Sequence, residues 1–182
     1  MNKQNLYFIA LVPDIQLREN IKQIKEDVCK KFNSCHALKS PAHITLQKPF
    51  KKTEEEEQTI IRVLQQTAKK QAPFEVVLHR YGAFAPKVIF INAKPIAPIE
   101  QLHSNLKEQL SQKAGFTDKE LSHKIMPHLT IAHRDLKPEM FKLAWRAFKN
   151  HPFEASFKAK SIFLLKHTGE KWELFKEFYF EG

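Results

Sequence analysis

Hydrophobic positions along the chain switch repeatedly between the period of a strand and the period of a helix. Leu6 to Val12 is a short apolar run stopped by Pro13-Asp14, which predicts a strand. Asp14 suits a helix cap, and after it Leu17, Ile21, Ile24, Val28 and Phe32 step by three or four, predicting an amphipathic helix. Thr53-Glu54-Glu55-Glu56 has the capping-box form and opens a second helix with Ile60, Ile61, Leu64 and Ala68 inward. The acidic run Glu54 to Glu57 reads as a solvated first turn, where carboxylates meet the positive end of the helix dipole. Phe74 to Tyr81 and Lys87 to Asn92 read as strands joined through Gly82 and Pro86, the second apolar on both faces and therefore central. Ile99, Leu102, Leu106 and Leu110 mark a third helix, and Phe141, Ala144, Trp145 and Phe148 a fourth, from about Pro138 to Lys149. Alternation from Phe153 to Ala159 predicts another strand, and the turn at Thr168-Gly169 separates two more, Ile162 to Lys166 and Trp172 to Phe180. No stretch reads as a linker or as low-complexity sequence, so residues 1–182 are expected to form one domain.

Composition narrows this picture. With 182 residues, 42% hydrophobic and 27% charged, the chain is an ordinary globular sequence, neither fibrous nor disordered. At this size folding buries roughly 70% of the unfolded surface, so stability requires neither a metal nor a disulfide. Cys29 and Cys35 lack metal-ligand spacing and read as reduced thiols of a cytoplasmic protein. The N-terminus resembles a first strand and not a signal peptide, and no run approaches the roughly 18 apolar residues of a membrane span. Lys and Arg number 30 against 20 Asp and Glu, a net charge of +10, which favours an anionic partner and puts phosphate-bearing ligands first.

One short pattern occurs twice. His43-Ile44-Thr45-Leu46 recurs as His128-Leu129-Thr130-Ile131, each closely preceded by proline, Pro41 and Pro127. In a strand, residues i and i+2 share a face, so each copy presents an imidazole and a hydroxyl to one side and two aliphatic anchors to the other. Composition alone predicts about 0.06 copies of such a tetrapeptide. A single copy is most simply a half-buried strand whose histidine satisfies a carbonyl. The repetition points elsewhere, to a cleft in which one imidazole takes a proton from water and the other gives one to a leaving oxygen, with threonine hydroxyls on the phosphate oxygens. Metal binding is the competing use of histidine, but the five-residue spacing of His123, His128 and His133 suits one face of neither helix nor strand. Nucleophile-elbow and phosphate-loop motifs are absent from the sequence.

Paired His-x-Thr-x motifs in a basic chain of this size resemble the 2H phosphoesterase superfamily, in particular the bacterial 2′-5′ RNA ligases, or RNA 2′,3′-cyclic phosphodiesterases, and their shorter phosphoesterase relatives. The resemblance extends to the strand-helix start, to the Tyr81-Gly82-Ala83-Phe84-Ala85-Pro86 segment and to the Gly169-x-x-Trp172 approach. It implies an α+β fold of two pseudo-symmetric lobes, each an antiparallel sheet with helices on its outer face, and the motif strands side by side in the cleft. It implies catalytic roles for His43, Thr45, His128 and Thr130. Ligase-like members often carry an arginine five residues after the second motif's histidine, where this chain has His133 followed by Arg134; the equivalent place after the first motif is Lys48. Those three are candidate phosphate contacts. Phe50, Phe84 and Trp172 are candidate base-stacking platforms.

The expected activity is therefore a metal-independent, cofactor-free phosphoesterase acting, as a monomer, on 2′,3′-cyclic phosphates of RNA ends or related nucleotides. A 2′-5′ RNA ligase or 2′-5′ phosphodiesterase would use the same site. From another class, an RNA-binding module without turnover would need only the charge and the aromatics, and would have little use for two titrating imidazoles.

Overall fold

The computed structural model describes residues 3–182. In chain order it contains β1 (Gln4–Leu11), α1 (Ile15–Phe32), a 3₁₀ turn (His36–Lys39), β2 (Ile44–Thr53), α2 (Glu54–Lys69), β3 (Phe74–Phe84), β4 (Val88–Ala93), α3 (Ala97–Ala114), β5 (His128–Ala132), α4 (Pro138–Phe148), β6 (Glu154–Ala159), β7 (Ser161–His167) and β8 (Trp172–Tyr179). The predicted helix starts hold: the Asp14 carboxylate accepts from the Leu17 N–H at 3.0 Å, and Thr53 and Glu56 form the reciprocal capping box.

The strands form two antiparallel four-stranded sheets, ordered β2-β1-β7-β8 and β5-β4-β3-β6. A strand-helix-strand-helix unit occurs twice, as β1-α1-β2-α2 and as β4-α3-β5-α4, and in each the second strand becomes the edge of its sheet. The first helix of each unit crosses to the other sheet. α1 packs on β5 and α4, while α3 packs on β2 and α2, so each sheet is covered by helices from both units. One apolar cluster runs continuously through both halves, from Tyr7, Ile21 and Ile44 to Ile91, Leu129 and Phe141.

That packing fixes the register of the motif strands. Ile44, Leu129 and Ile131 are fully buried and Leu46 nearly so; each such side chain is worth about 1.5 to 3 kcal/mol over its exposed state. A one-residue slip would turn His43 and Thr45, or His128 and Thr130, into the core.

Cys29 and Cys35 correct one expectation: they are joined in a disulfide, with Cα atoms 4.4 Å apart. The cause is local. α1 ends in the left-handed conformation at Asn33 (φ 54°), whose N–H returns to the Cys29 carbonyl, and this reversal carries Cys35 back beside the last turn of the helix. No helix of the described residues is long and apolar enough to cross a membrane.

Candidate active site

The edge strands β2 and β5 face one another across the gap between the sheets and bring the two motifs together. Each histidine is fixed in the same way. Nδ1 of His43 bonds the Pro41 carbonyl at 2.7 Å, and Nδ1 of His128 bonds the Met126 carbonyl at 2.6 Å. A carbonyl can only accept, so each Nδ1 carries the proton and each Nε2 keeps its lone pair.

Aromatic rings support both imidazoles from the neighbouring strand. Phe8 of β1 lies 4.6 Å from the His43 ring, and Trp172 packs edge-on to Phe8 at 4.6 Å. Phe90 of β4 lies 4.8 Å from the His128 ring, and Phe84 packs on both Phe90 and His128, at 4.5 and 5.5 Å. The position of Phe90 depends on Gly82, its partner across β3 and β4: a Cβ there would collide with the Phe90 ring.

A cavity of about 250 Å³ opens between the strands, lined by residues that include His43, Thr45, Thr130, His133, Arg134 and Trp172. His128 is not among the lining residues; it stands two residues before Thr130 on the same face of β5, and a charge on it opposes protonation of His43. Burial holds His43 down to a pKa of about 3, against the opposing pull of its Pro41 hydrogen bond. His128 is lowered by the same cause, again against its backbone bond. His133 falls to about 4, first through burial and then through His36 and Arg134. The pocket is thus lined by neutral imidazoles beside the fixed cations Lys39 and Arg134.

Two tethers shape the wall formed by the 3₁₀ turn, which packs against β5. Asp135 accepts hydrogen bonds from Ser34 Oγ, Cys35 N and His36 N, each at 2.8 Å, and ties the chain after β5 to the start of the 3₁₀ turn. Arg134, just before it, adopts a left-handed φ of 61°, a costly conformation for a side chain of that size. Lys25, only 3% exposed, donates to the Ala37 and Ser40 carbonyls at 3.0 Å each and holds the segment that carries Lys39. Its pKa drops to about 8 because it is buried.

The profile of the 2′-5′ RNA ligase superfamily matches residues 12–171. The chain belongs to that superfamily. Among curated superfamily relatives, a Bacillus cytotoxicus protein named "Putative phosphoesterase" is 33% identical over 128 residues, covering 69% of this chain and 68% of its own length. A protein of the same description from Bacillus licheniformis is 28% identical over 130 residues, 70% of each chain. Among solved structures, E. coli LigT complexed with 3′-AMP superposes with a TM-score of 0.70 at 18% identity, covering 99% of this chain and 100% of that one. A Thermus thermophilus structure superposes at 0.69 with 20% identity and 98% coverage of both chains. These likenesses establish a common fold, the α+β arrangement of two antiparallel sheets.

Within this superfamily fold the other sequence candidates separate. His133, Arg134 and Trp172 reach the cavity, and Phe84, 41% exposed, borders His128. Lys48 does not reach it: its Nζ bonds the Lys119 carbonyl at 2.8 Å and its N–H the Ser122 hydroxyl at 2.9 Å. Strand alternation does not carry from His43 to Lys48, because β2 shifts register between Thr45 and Gln47 and again before Phe50. His133 has the same offset, but β5 ends at Ala132 and the turn at Arg134 redirects the chain. Phe50 is 4% exposed between Tyr7 and Phe116 and belongs to the core, so it offers no face to a base. Sequence reasoning passed over Phe8, Phe90, Lys39 and Asp135. Among the described residues no three His, Cys, Asp or Glu side chains converge as a metal-ligand set, and His123 turns away to Asp118.

Proposed function

We propose that the protein is a phosphoesterase that opens 2′,3′-cyclic phosphates of RNA ends or related nucleotides by paired imidazole catalysis. The observation that carries this reading is the identical tethering of His43, just before edge strand β2, and His128, at the start of the facing edge strand β5, each with a threonine two residues further along. The phosphate sits in the cavity, where Thr45 and Thr130 donate to its non-bridging oxygens and Arg134 and Lys39 offset its charge. His43 is held furthest from protonation and serves as the base: its Nε2 takes a proton from water as the water oxygen bonds to phosphorus. The ribose oxygen opposite leaves with the bond's electron pair and receives a proton from His128. The bound phosphate favours that protonated form of His128, because an anion nearby stabilises imidazolium. One water is consumed and one phosphomonoester formed; superfamily likeness favours the 2′-phosphate. Trp172, on the cavity lining, and Phe84, exposed beside His128, are the platforms for base or ribose.

With a 5′-hydroxyl in place of water as the nucleophile, the same geometry opens the cyclic phosphate to a 2′-5′ phosphodiester, the 5′-oxygen bonding to phosphorus as the 3′-oxygen leaves and is protonated. The test is incubation of a cyclic mononucleotide and of short RNAs with cyclic ends in EDTA, followed by phosphorus NMR. Turnover to a single monoester isomer is expected. Binding without any turnover would leave only an RNA-binding module.

A further inference from the structure

A second cavity, of about 170 Å³, adjoins the first and shares Lys39, Ser40 and Trp172 with it. Its far wall is the face of α1 that carries Arg18, Lys22 and Lys25, spaced four and three residues apart, and Lys171 closes it from the β7–β8 turn. Glu19 is the one carboxylate on its lining.

Its cations are not equally occupied. Lys25 is committed to the Ala37 and Ser40 carbonyls, Lys171 lies 3.1 Å from Glu173, and Lys22 lies 3.7 Å from Glu19. Arg18 is different: its Nε is buried without a hydrogen-bond partner, and among the described residues no ion pair includes its guanidinium. A guanidinium held here without a carboxylate partner leaves its charge uncompensated, and an anion meeting its terminal N–H groups from this cavity supplies the counter-charge.

We propose that this cavity is a subsite for a second phosphate of the substrate, one nucleoside unit away from the reacting phosphate. The proposal rests on the reading of the first cavity as the phosphoesterase centre. Arg18 binds the second phosphate through its guanidinium fork, Lys22 and Lys39 add charge, and Trp172, the wall common to both cavities, flanks the base or ribose between the phosphates. The substrate class is thereby narrowed to molecules with two phosphates in that relation, either an RNA strand or a nucleotide phosphorylated at its other end.

The experiment compares the wild type with Arg18→Gln, Arg18→Lys and Arg18→Gln/Lys22→Gln on three substrates: a 2′,3′-cyclic mononucleotide with a free 5′-hydroxyl, the same nucleotide with a 5′-phosphate, and a trinucleotide ending in the cyclic phosphate. Binding of the three corresponding 2′-monophosphates is measured in parallel across salt concentrations. Arg18→Gln should lower kcat/KM about 10-fold for two-phosphate substrates, through KM, and leave the one-phosphate nucleotide unchanged. Arg18→Lys should restore part of the loss, and Arg18→Gln should flatten the salt slope of binding by about 0.7 to 0.9. A response of both two-phosphate substrates makes a small phosphorylated nucleotide sufficient; a response of the trinucleotide alone assigns the subsite to RNA. Equal losses on all three substrates, or none on any, would overturn the subsite. If no substrate turns over while two-phosphate ligands still bind through Arg18, the catalytic reading falls and the subsite stands.

Discussion

His43 and His128 lie about 85 residues apart in sequence, yet each gives its Nδ1 proton to the carbonyl of the residue two places before it, at 2.7 and 2.6 Å. The proline near each motif is part of this device. Pro41 supplies one carbonyl, and Pro127 extends the backbone between the other carbonyl and His128. Both rings are thereby set in one tautomer, and what distinguishes them is their surroundings.

Replacing either histidine by alanine should lower kcat/KM for a cyclic mononucleotide about 10² to 10⁴-fold, as each removes one half of the proton transfer. The double variant should lose far less than the product of the two, because the rings act as a unit. Steady-state kinetics with circular dichroism as a folding control measures both.

Thr45→Val and Thr130→Val keep the shape of the strand and remove one donor each. A hydrogen bond to a charged group is worth about 1.5 to 3 kcal/mol, so each should cost about 10 to 150-fold in kcat/KM. Losses confined to KM would place the threonines on the ground-state phosphate only; a fall in kcat is the expected result.

Stability should fall as the solution is acidified below the ordinary imidazole pKa. The folded-state pKa of His43 is depressed to about 3 by burial, so between roughly 6.5 and 3 the unfolded chain binds a proton that the folded chain excludes. His133, at about 4, adds in the same direction. Urea unfolding across this range checks the sign, and imidazole NMR shifts should show His43 still neutral at pH 4.5.

Gly82→Ala tests the support of His128. The added methyl would meet the Phe90 ring, so the ring must move from its place against His128. Turnover should drop about 10-fold or more with global stability reduced by about 1 to 3 kcal/mol, the usual cost of overpacking. Crystallography of the variant would show whether His128 follows Phe90.

What the sequence disclosed, it disclosed through local chemistry. The cap at Asp14, the Thr53–Glu56 box and the two alternating tetrapeptides are written within four residues each, and the corresponding elements stand where the pattern places them. The missing parts of the site depend on long-range pairing. Asp135 meets Ser34 across 101 residues, and Phe8 reaches His43 only because β1 pairs with β2. Phe8 and Phe90 looked like any of fifteen phenylalanines. Lys48 and His133 share an offset that fixes no common direction, because β2 runs on through register shifts around Gln47 while β5 ends at Ala132. The disulfide follows from a left-handed helix end at Asn33, which six-residue cysteine spacing does not reveal.

The pH dependence of kcat in the wild type and in the two single histidine variants, measured on one cyclic mononucleotide, tests paired imidazole catalysis most directly. The account predicts a bell for the wild type, loss of its acidic limb in His43→Ala and loss of its alkaline limb in His128→Ala. A wild-type profile that keeps both limbs in either variant, or residual turnover equal to the wild type, would contradict it.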